Sequence, residues 1–292
     1  MVIGHILGGL GNQMFQYAAA RALSLSKDQP LYLDTQDFEG YTLHNGFLLN
    51  TVFGLRTKIA GPELIQMTLG LGNQKFVKKL IKRPIFKHFR GRNFIVEPHT
   101  HYWPQIESVS DNCYLYGYWQ TEKYFKTYEN IIREDFYFHN NLDSYNAALK
   151  SKIEGTTSVS IHIRRGDYVS DSKTSKIMNV CGIKYYEDAI DKISLQVDSP
   201  HFYIFSDEMQ WVRENFPFSY PVTFVNQNTK NNSHIDMQLM SACKHNIIAN
   251  SSFSWWGAWL NPNPKKIIIA PSKWFINSND DSDIIPSTWI RL

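Results

Sequence analysis

Five short runs, VSIHI (159–163), HFYIF (201–205), VTFV (222–225), NIIAN (246–250) and KKIIIA (265–270), recur through the second half of the chain. Between them lie YYEDAIDKI, EMQWVREN, SHIDMQLMSACKH and FSWWGAWL, whose apolar residues return at helical spacing. This rhythm leaves few options. Short β-branched runs alternating with helices belong to a parallel sheet covered on both faces. In the first half VIGHIL and LYLD (31–34) read as strands, and Asn12 to Ser26 as a helix with Phe15, Ala18, Ala19, Ala22 and Leu23 on one face. CYLYGYW (113–119) reads as a further strand, followed by a helix capped by Thr121 and running to Ile132. Short helices are expected around 62–69 and 75–90. The polar stretch KIEGTTS (152–158) is the candidate linker, dividing the chain into 1–151 and 152–292. The expectation is α/β, two Rossmann-like domains facing a cleft, with ligands beyond the strands' carboxyl ends.

Composition sets the limits. With 292 residues, 43% hydrophobic and 20% charged, the chain can bury sizeable cores, which excludes disordered and fibrous classes. A net charge of +3 suits an anionic small ligand or a membrane surface better than nucleic acid, and no nucleic-acid partner is expected. Lys75, Lys78, Lys79, Lys82, Arg83, Lys87, Arg90 and Arg92 crowd a stretch without acidic residues, interleaved with apolar ones. A peripheral contact of 75–92 with an anionic membrane is weighed against an ordinary solvated amphipathic pair. Cys113, Cys181 and Cys243 form neither a disulfide framework nor a zinc pattern. With no secretory signal or apolar span in view, a cytoplasmic protein is expected, with the inner membrane face as the peripheral alternative.

Three stretches at strand ends carry chemistry. GGLGNQ (8–13) joins a strand to a helix, where glycines and free amides admit an anion; a tight turn with Asn12 as helix cap is the plain alternative. In HIRRGDY (162–168), Arg164 and Arg165 offer planar donor forks suited to a diphosphate. Asp167 paired with one arginine is the structural alternative. In NSSFSWWGAWL (250–260), Ser251 and Ser252 sit at a strand-to-helix junction that suits phosphate oxygens, while Trp255, Trp256 and Trp259 are expected to pack the core. Asp207, ending YIFSDE, either accepts the paired donors of a guanine edge or caps the next helix. DSD (281–283) imitates a metal motif but reads as a solvated loop.

GGLGNQMFQYA, HIRRGDY, FSDE and NSSFSWWGAWL, in this order from residue 8 to residue 260, resemble the motif set of the bacterial α-1,2-fucosyltransferases of glycosyltransferase family eleven. The resemblance implies a GT-B-like fold, an inverting transfer of L-fucose from GDP-β-L-fucose to the 2-hydroxyl of galactose in a glycan, and no required metal or cofactor. It implies Arg164 at the β-phosphate, His162 and Asp207 facing guanine, Asn12 near the fucosyl-phosphate oxygen, and Ser251, Ser252 and Phe253 along the pyrophosphate. Gly11, Gln13 and Arg165 join the donor-binding set and Asp167 the catalytic one. The N-terminal domain would hold the acceptor and the C-terminal one the nucleotide. Where the second motif commonly ends in two aspartates, this chain has Asp207-Glu208. For a general base Asp167, Glu208, His44 and Asp37 stand open. A nucleotide-sugar or carbohydrate-binding protein without transfer activity is the alternative function.

Overall fold

The computed structural model describes residues 1–40, 45–70, 88, 90–166, 180–216, 218–229, 232–276 and 281–292. They form two compact units, Met1–His139 and Asn140–Leu292.

The first unit is built on a parallel sheet in the order β2-β1-β4-β3, from β1 (Val2–His5), β2 (Leu31–Asp34), β3 (Phe94–Val96) and β4 (Cys113–Tyr116). α1 (Leu10–Ser26) follows β1, then α2 (Leu49–Phe53), α3 (Pro62–Leu69) and, after β4, α4 (Glu129–Asp135). α1 lies flush on the sheet because both partners lack bulk. A Cβ on Gly4 would come within 2.9 Å of the Ala20 Cβ. The helix is therefore buried nearly all round rather than along one stripe, and the burial includes the amides of Gln13 and Gln16. Polar groups so enclosed must find partners.

The second unit opens with α5 (Ser144–Glu154), capped by Asp143, whose carboxylate accepts the Asn146 N–H at 2.8 Å. Its sheet is parallel throughout, in the order β10-β9-β8-β5-β6-β7. These strands are β5 (Thr157–Ile163), β6 (Pro200–Ser206), β7 (Val222–Val225), β8 (His245–Ile247), β9 (Ile268–Ala270) and β10 (Ile290–Arg291). α6 (Ile183–Ser194), α7 (Met209–Asn215), α8 (Ser233–Ala242) and α9 (Ser252–Leu260) connect them. Val159, Ile161, Phe202, Ile204, Ile247 and Ile269 form one buried cluster with helix residues such as Tyr186 and Val212. Trp255 and Trp256 are fully buried, and the Trp255 indole N–H donates to the Ile284 carbonyl at 2.8 Å, so the tryptophans are core.

Three expectations shift. The stretch 152–158 is no linker, because it ends α5 and begins β5; the units divide between His139 and Asn140. The strand at 113–119 stops at Tyr116, and the chain bends at Gly117. The helix expected from Thr121 is two 3-10 turns followed by α4, with the Thr121 hydroxyl accepting the Lys123 N–H. The helix expected at 75–90, and most of the basic segment 75–92, lie outside the described residues. No helix among the described residues is long and apolar enough to cross a membrane.

Candidate active site

In the second unit, β5 and β6 run in register with Ile163 opposite Ser206. The next residues, Arg164-Arg165 and Asp207-Glu208, therefore emerge side by side. Arg164 Nη1 lies 3.0 Å from Asp207 Oδ2, and the Arg165 backbone N–H donates to Asp207 Oδ1 at 3.0 Å. Arg165 Nε donates to Glu208 Oε2 at 3.0 Å while its guanidinium lies 3.6 Å over the Trp211 ring. Gly166 makes this possible, since a Cβ there would sit 2.6 Å from Asp207 Oδ2. Both arginines thus have carboxylate partners at the end of β6; Asp167, the expected partner of one of them, lies outside the described residues. Within the quartet, Asp207 Oδ2 meets Arg164 and Oδ1 the Arg165 N–H. Glu208, in place of a second aspartate, has the length to reach Arg165.

Behind the quartet sits His162, 5% exposed, with Nδ1 buried and without a partner among the described residues. Burial, then the Arg164 charge, pushes its imidazole down to about 3, so it is neutral across the physiological range. Its ring is 5.8 Å from that of Phe253, and its carbonyl accepts the Tyr186 hydroxyl at 3.1 Å. Phe253 lies in the first turn of α9, whose N-cap, Ser251, is extended and makes no side-chain cap bond. First-turn amides of a helix lack intrahelical acceptors, and the dipole adds partial positive charge there. Ser251, Ser252 and Phe253 thus lie at a helix N-terminus, whose amides can meet an anion. Asn250 fixes the approach by donating to the Trp274 carbonyl at 2.8 Å.

One carboxylate at this edge escaped the sequence reading. Asp236, in the first turn of α8, accepts from Asn228 Nδ2 at 2.8 Å, just past the end of β7. Burial pushes its carboxyl up to about 7, outweighing that hydrogen bond. The HIDMQLM run showed helical spacing, and a carboxylate on its half-buried side was the available signal.

The edge of the first sheet is made differently. Gly8, at φ +90, is in the left-handed region, and Gly9 is the N-cap of α1. Asn12 is therefore not the cap. Its backbone N–H donates to the Gly9 carbonyl, and its Oδ1 accepts from Gln120 Nε2 at 2.8 Å. Gln13, expected at the donor, is wholly buried: its amide nitrogen donates to the carbonyls of Gly8 and Gly46, both at 2.8 Å, and its oxygen accepts the Leu48 N–H at 2.9 Å. It is a staple. Gln16 acts likewise, accepting the Leu7 N–H and donating to the Gly117 carbonyl. Gly11 is buried in the first turn of α1.

Of the carboxylates and imidazoles open as bases, Asp37 pairs with His5 at 2.8 Å and Glu208 with Arg165, while Asp167 and His44 lie outside the described residues. Glu97, past the end of β3, was missed. Its Oε2 accepts the Tyr118 N–H at 2.6 Å and Oε1 the Trp119 N–H at 2.9 Å, and burial pushes its carboxyl up to about 7. In DSD, the Asp281 carboxylate accepts the Trp274 N–H at 2.5 Å.

The model of glycosyl transferase family 11 matches residues 62–292. An Escherichia coli alpha-1,2-colitosyltransferase is 37% identical over 305 residues, covering 100% of this chain and 99% of its own length. The E. coli O-antigen biosynthesis glycosyltransferase WbnK is 31% identical, covering 98% of each. The galactoside alpha-(1,2)-fucosyltransferase 2 of Hylobates lar is 24% identical over 87% of this chain and 67% of its own. Among solved structures, the NodZ alpha-1,6-fucosyltransferase soaked with GDP-fucose superposes with a TM-score of 0.51 at 16% identity, over 89% of this chain and 92% of that one. That likeness is one of fold and agrees with a GT-B-like architecture of parallel α/β units. With the four motifs seated at strand ends and a match over most of its length, the chain belongs to glycosyl transferase family 11.

Proposed function

We propose that the protein is a galactoside 2-α-L-fucosyltransferase, moving L-fucose from GDP-β-L-fucose to the 2-hydroxyl of a terminal galactose with inversion. The observation that carries this reading is the arginine–carboxylate quartet at the ends of β5 and β6, beside the N-terminus of α9. Its four charges cancel, so a diphosphate gains from directed N–H donors held in place rather than from net charge. As the bond to the sugar breaks, the electron pair passes to the β-phosphate oxygen and the anomeric carbon becomes oxocarbenium-like. A fixed guanidinium at that phosphate then stabilises the transition state more than the ground state. Arg164 has this role, Ser251, Ser252 and Phe253 line the diphosphate, and neutral His162 faces the base. Asp207 is the carboxylate proposed for the guanine donors, and Asp236, beside the end of β7, is a second described carboxylate at this edge. In the first unit Asn12 offers its amide nitrogen to the sugar-phosphate oxygen. With side chains proposed to stabilise the developing charge, transfer is expected to proceed in EDTA.

A second donor has specific support. The 37% identical relative is named for colitose, which is fucose lacking the 3-hydroxyl. Purified protein, given GDP-fucose or GDP-colitose with lactose in EDTA, separates the readings by product mass and linkage. We expect an α-1,2-fucosylated galactoside. Turnover of GDP-colitose alone would move the assignment to the 3-deoxy sugar, and GDP binding without transfer of either would leave a binding protein.

A further inference from the structure

We infer that Gln120 is a positioning residue for Asn12, holding the asparagine amide with its oxygen turned inward and its nitrogen presented at the carboxyl edge of the first sheet. The inference rests on the proposed reading in which Asn12 meets the sugar-phosphate. An asparagine amide has two orientations of equal shape and opposite polarity, and a partner must choose between them. Here Gln120 Nε2 donates to Asn12 Oδ1 at 2.8 Å, which leaves Asn12 Nδ2 as the donor. That nitrogen lies over the glycine turn: a Cβ on Gly8 would come within 3.1 Å of it, and among the described residues it has no acceptor. The reversed amide would aim a carbonyl oxygen at a phosphate oxygen, a repulsive pair.

The backbone carrying Gln120 is fixed from several sides. The Gly117 carbonyl accepts Gln16 Nε2 at 3.1 Å. The Tyr118 and Trp119 N–H groups enter the two oxygens of Glu97 at 2.6 and 2.9 Å. Only glycine at 117 lets Glu97 approach, since a Cβ there would fall 2.4 Å from the Glu97 Cβ. Trp119 holds φ +57, and Thr121 N–H donates back to its carbonyl at 2.8 Å. A tryptophan in the left-handed region is strained, and its surroundings must sustain it. Its ring is buried, edge-on to Tyr124 at 5.3 Å. The anchors Gln16 and Glu97 and the strained Trp119 thus converge on the loop from which Gln120 reaches across 108 positions of sequence.

Gln120→Glu tests this directly, because a carboxylate of the same shape cannot donate to Oδ1 and instead turns the asparagine nitrogen toward itself. With GDP-fucose and lactose, we expect kcat to fall roughly ten- to a hundredfold, with the melting temperature, GDP affinity and donor KM near wild type. Gln120→Met, which keeps the volume and only removes the donor, falls less and covers the case in which the glutamate fails to fold. In an Asn12→Ala background, either change adds nothing further. Wild-type kcat in both Gln120 variants, or an undiminished effect in the Asn12→Ala background, overturns the positioning role. Wild-type kcat in Asn12→Ala overturns instead the reading on which it rests.

Discussion

The two sheet edges solve one problem with opposite materials. At the second, two arginines, two carboxylates and an indole face hold one another through charge and stacking. At the first, the polar framework around Asn12 runs through neutral amides: Asn12, Gln13, Gln16 and Gln120 bond to each other or to backbone, while the Glu97 carboxyl takes up two loop N–H groups and Asp37 pairs with His5. The contrast follows from what each edge is proposed to meet. A diphosphate that gains charge during the reaction rewards fixed cationic donors. A neutral sugar and its hydroxyls reward donors and acceptors without a field, because buried amides keep their hydrogen bonds at little desolvation cost compared with ions.

The largest effect is expected at the charged edge. Arg164→Ala should lower fucosyl transfer by about a hundredfold or more, read as kcat per folded molecule. Turnover within a few-fold of wild type would remove the reason for assigning the charged edge to the phosphate. Next comes Asn12→Asp. Because Gly9 is the cap of α1 and the aspartate can still accept from Gln120, stability should hold, while the proposed role of Asn12 at the sugar-phosphate requires the added negative charge to cut turnover about tenfold or more. A variant that unfolds yet keeps its rate per folded molecule would make position 12 structural.

Gln13→Ala should behave in the reverse way. It strands three backbone groups inside the protein, at a cost on the order of 2 to 4 kcal/mol of stability, and should leave turnover per folded molecule intact. Denaturant unfolding monitored alongside activity separates the two. A kinetic loss without loss of stability would return Gln13 to the donor site.

The smallest effects concern pH, and the buried imidazole and the buried carboxyls differ in sign. His162 ionises near 3 when folded against an ordinary 6.5, so its contribution is present above 6.5 and is lost as pH falls toward 3. Glu97 holds its proton to about 7 against an ordinary 4.5, so its contribution is full below 4.5 and is lost as pH rises through 7. Asp236, at the charged edge, follows the Glu97 direction. Unfolding midpoints between pH 4 and 8 should therefore show Glu97→Gln flattening the decline toward neutral pH, and His162→Gln flattening the loss toward acid. The opposite slopes would mean that the burial of these groups is misread.

Much of the second unit was legible because its signals are local. Strands buried on both faces write continuous apolar runs, and Trp255 and Trp256 announce a packed helix by bulk alone. Asn12, Arg164 and Ser251 stand at strand-to-helix turns, where the motifs already pointed. What escaped depends on pairing across distance. Nothing near Gln13 shows that its amide will meet Gly46 and Leu48, and nothing near Asn12 points to Gln120. β3, three residues long, is a strand only because β4 lies beside it. The pairing of Arg164 with Asp207 was recoverable in principle. Aligning the ends of IHIRR and YIFSDE as neighbouring parallel strands sets RR beside DE, but that needs the register, which the strands settle only once folded.

The division of labour between the edges comes down to GDP affinity, measured by calorimetry on wild type, Arg164→Ala and Asn12→Ala. A charged edge that holds the nucleotide and an amide edge that serves transfer require Arg164→Ala to weaken GDP by about tenfold or more, and Asn12→Ala to bind it like wild type while transferring fucose slowly. Equal affinity in all three proteins, or a loss confined to Asn12→Ala, would contradict it.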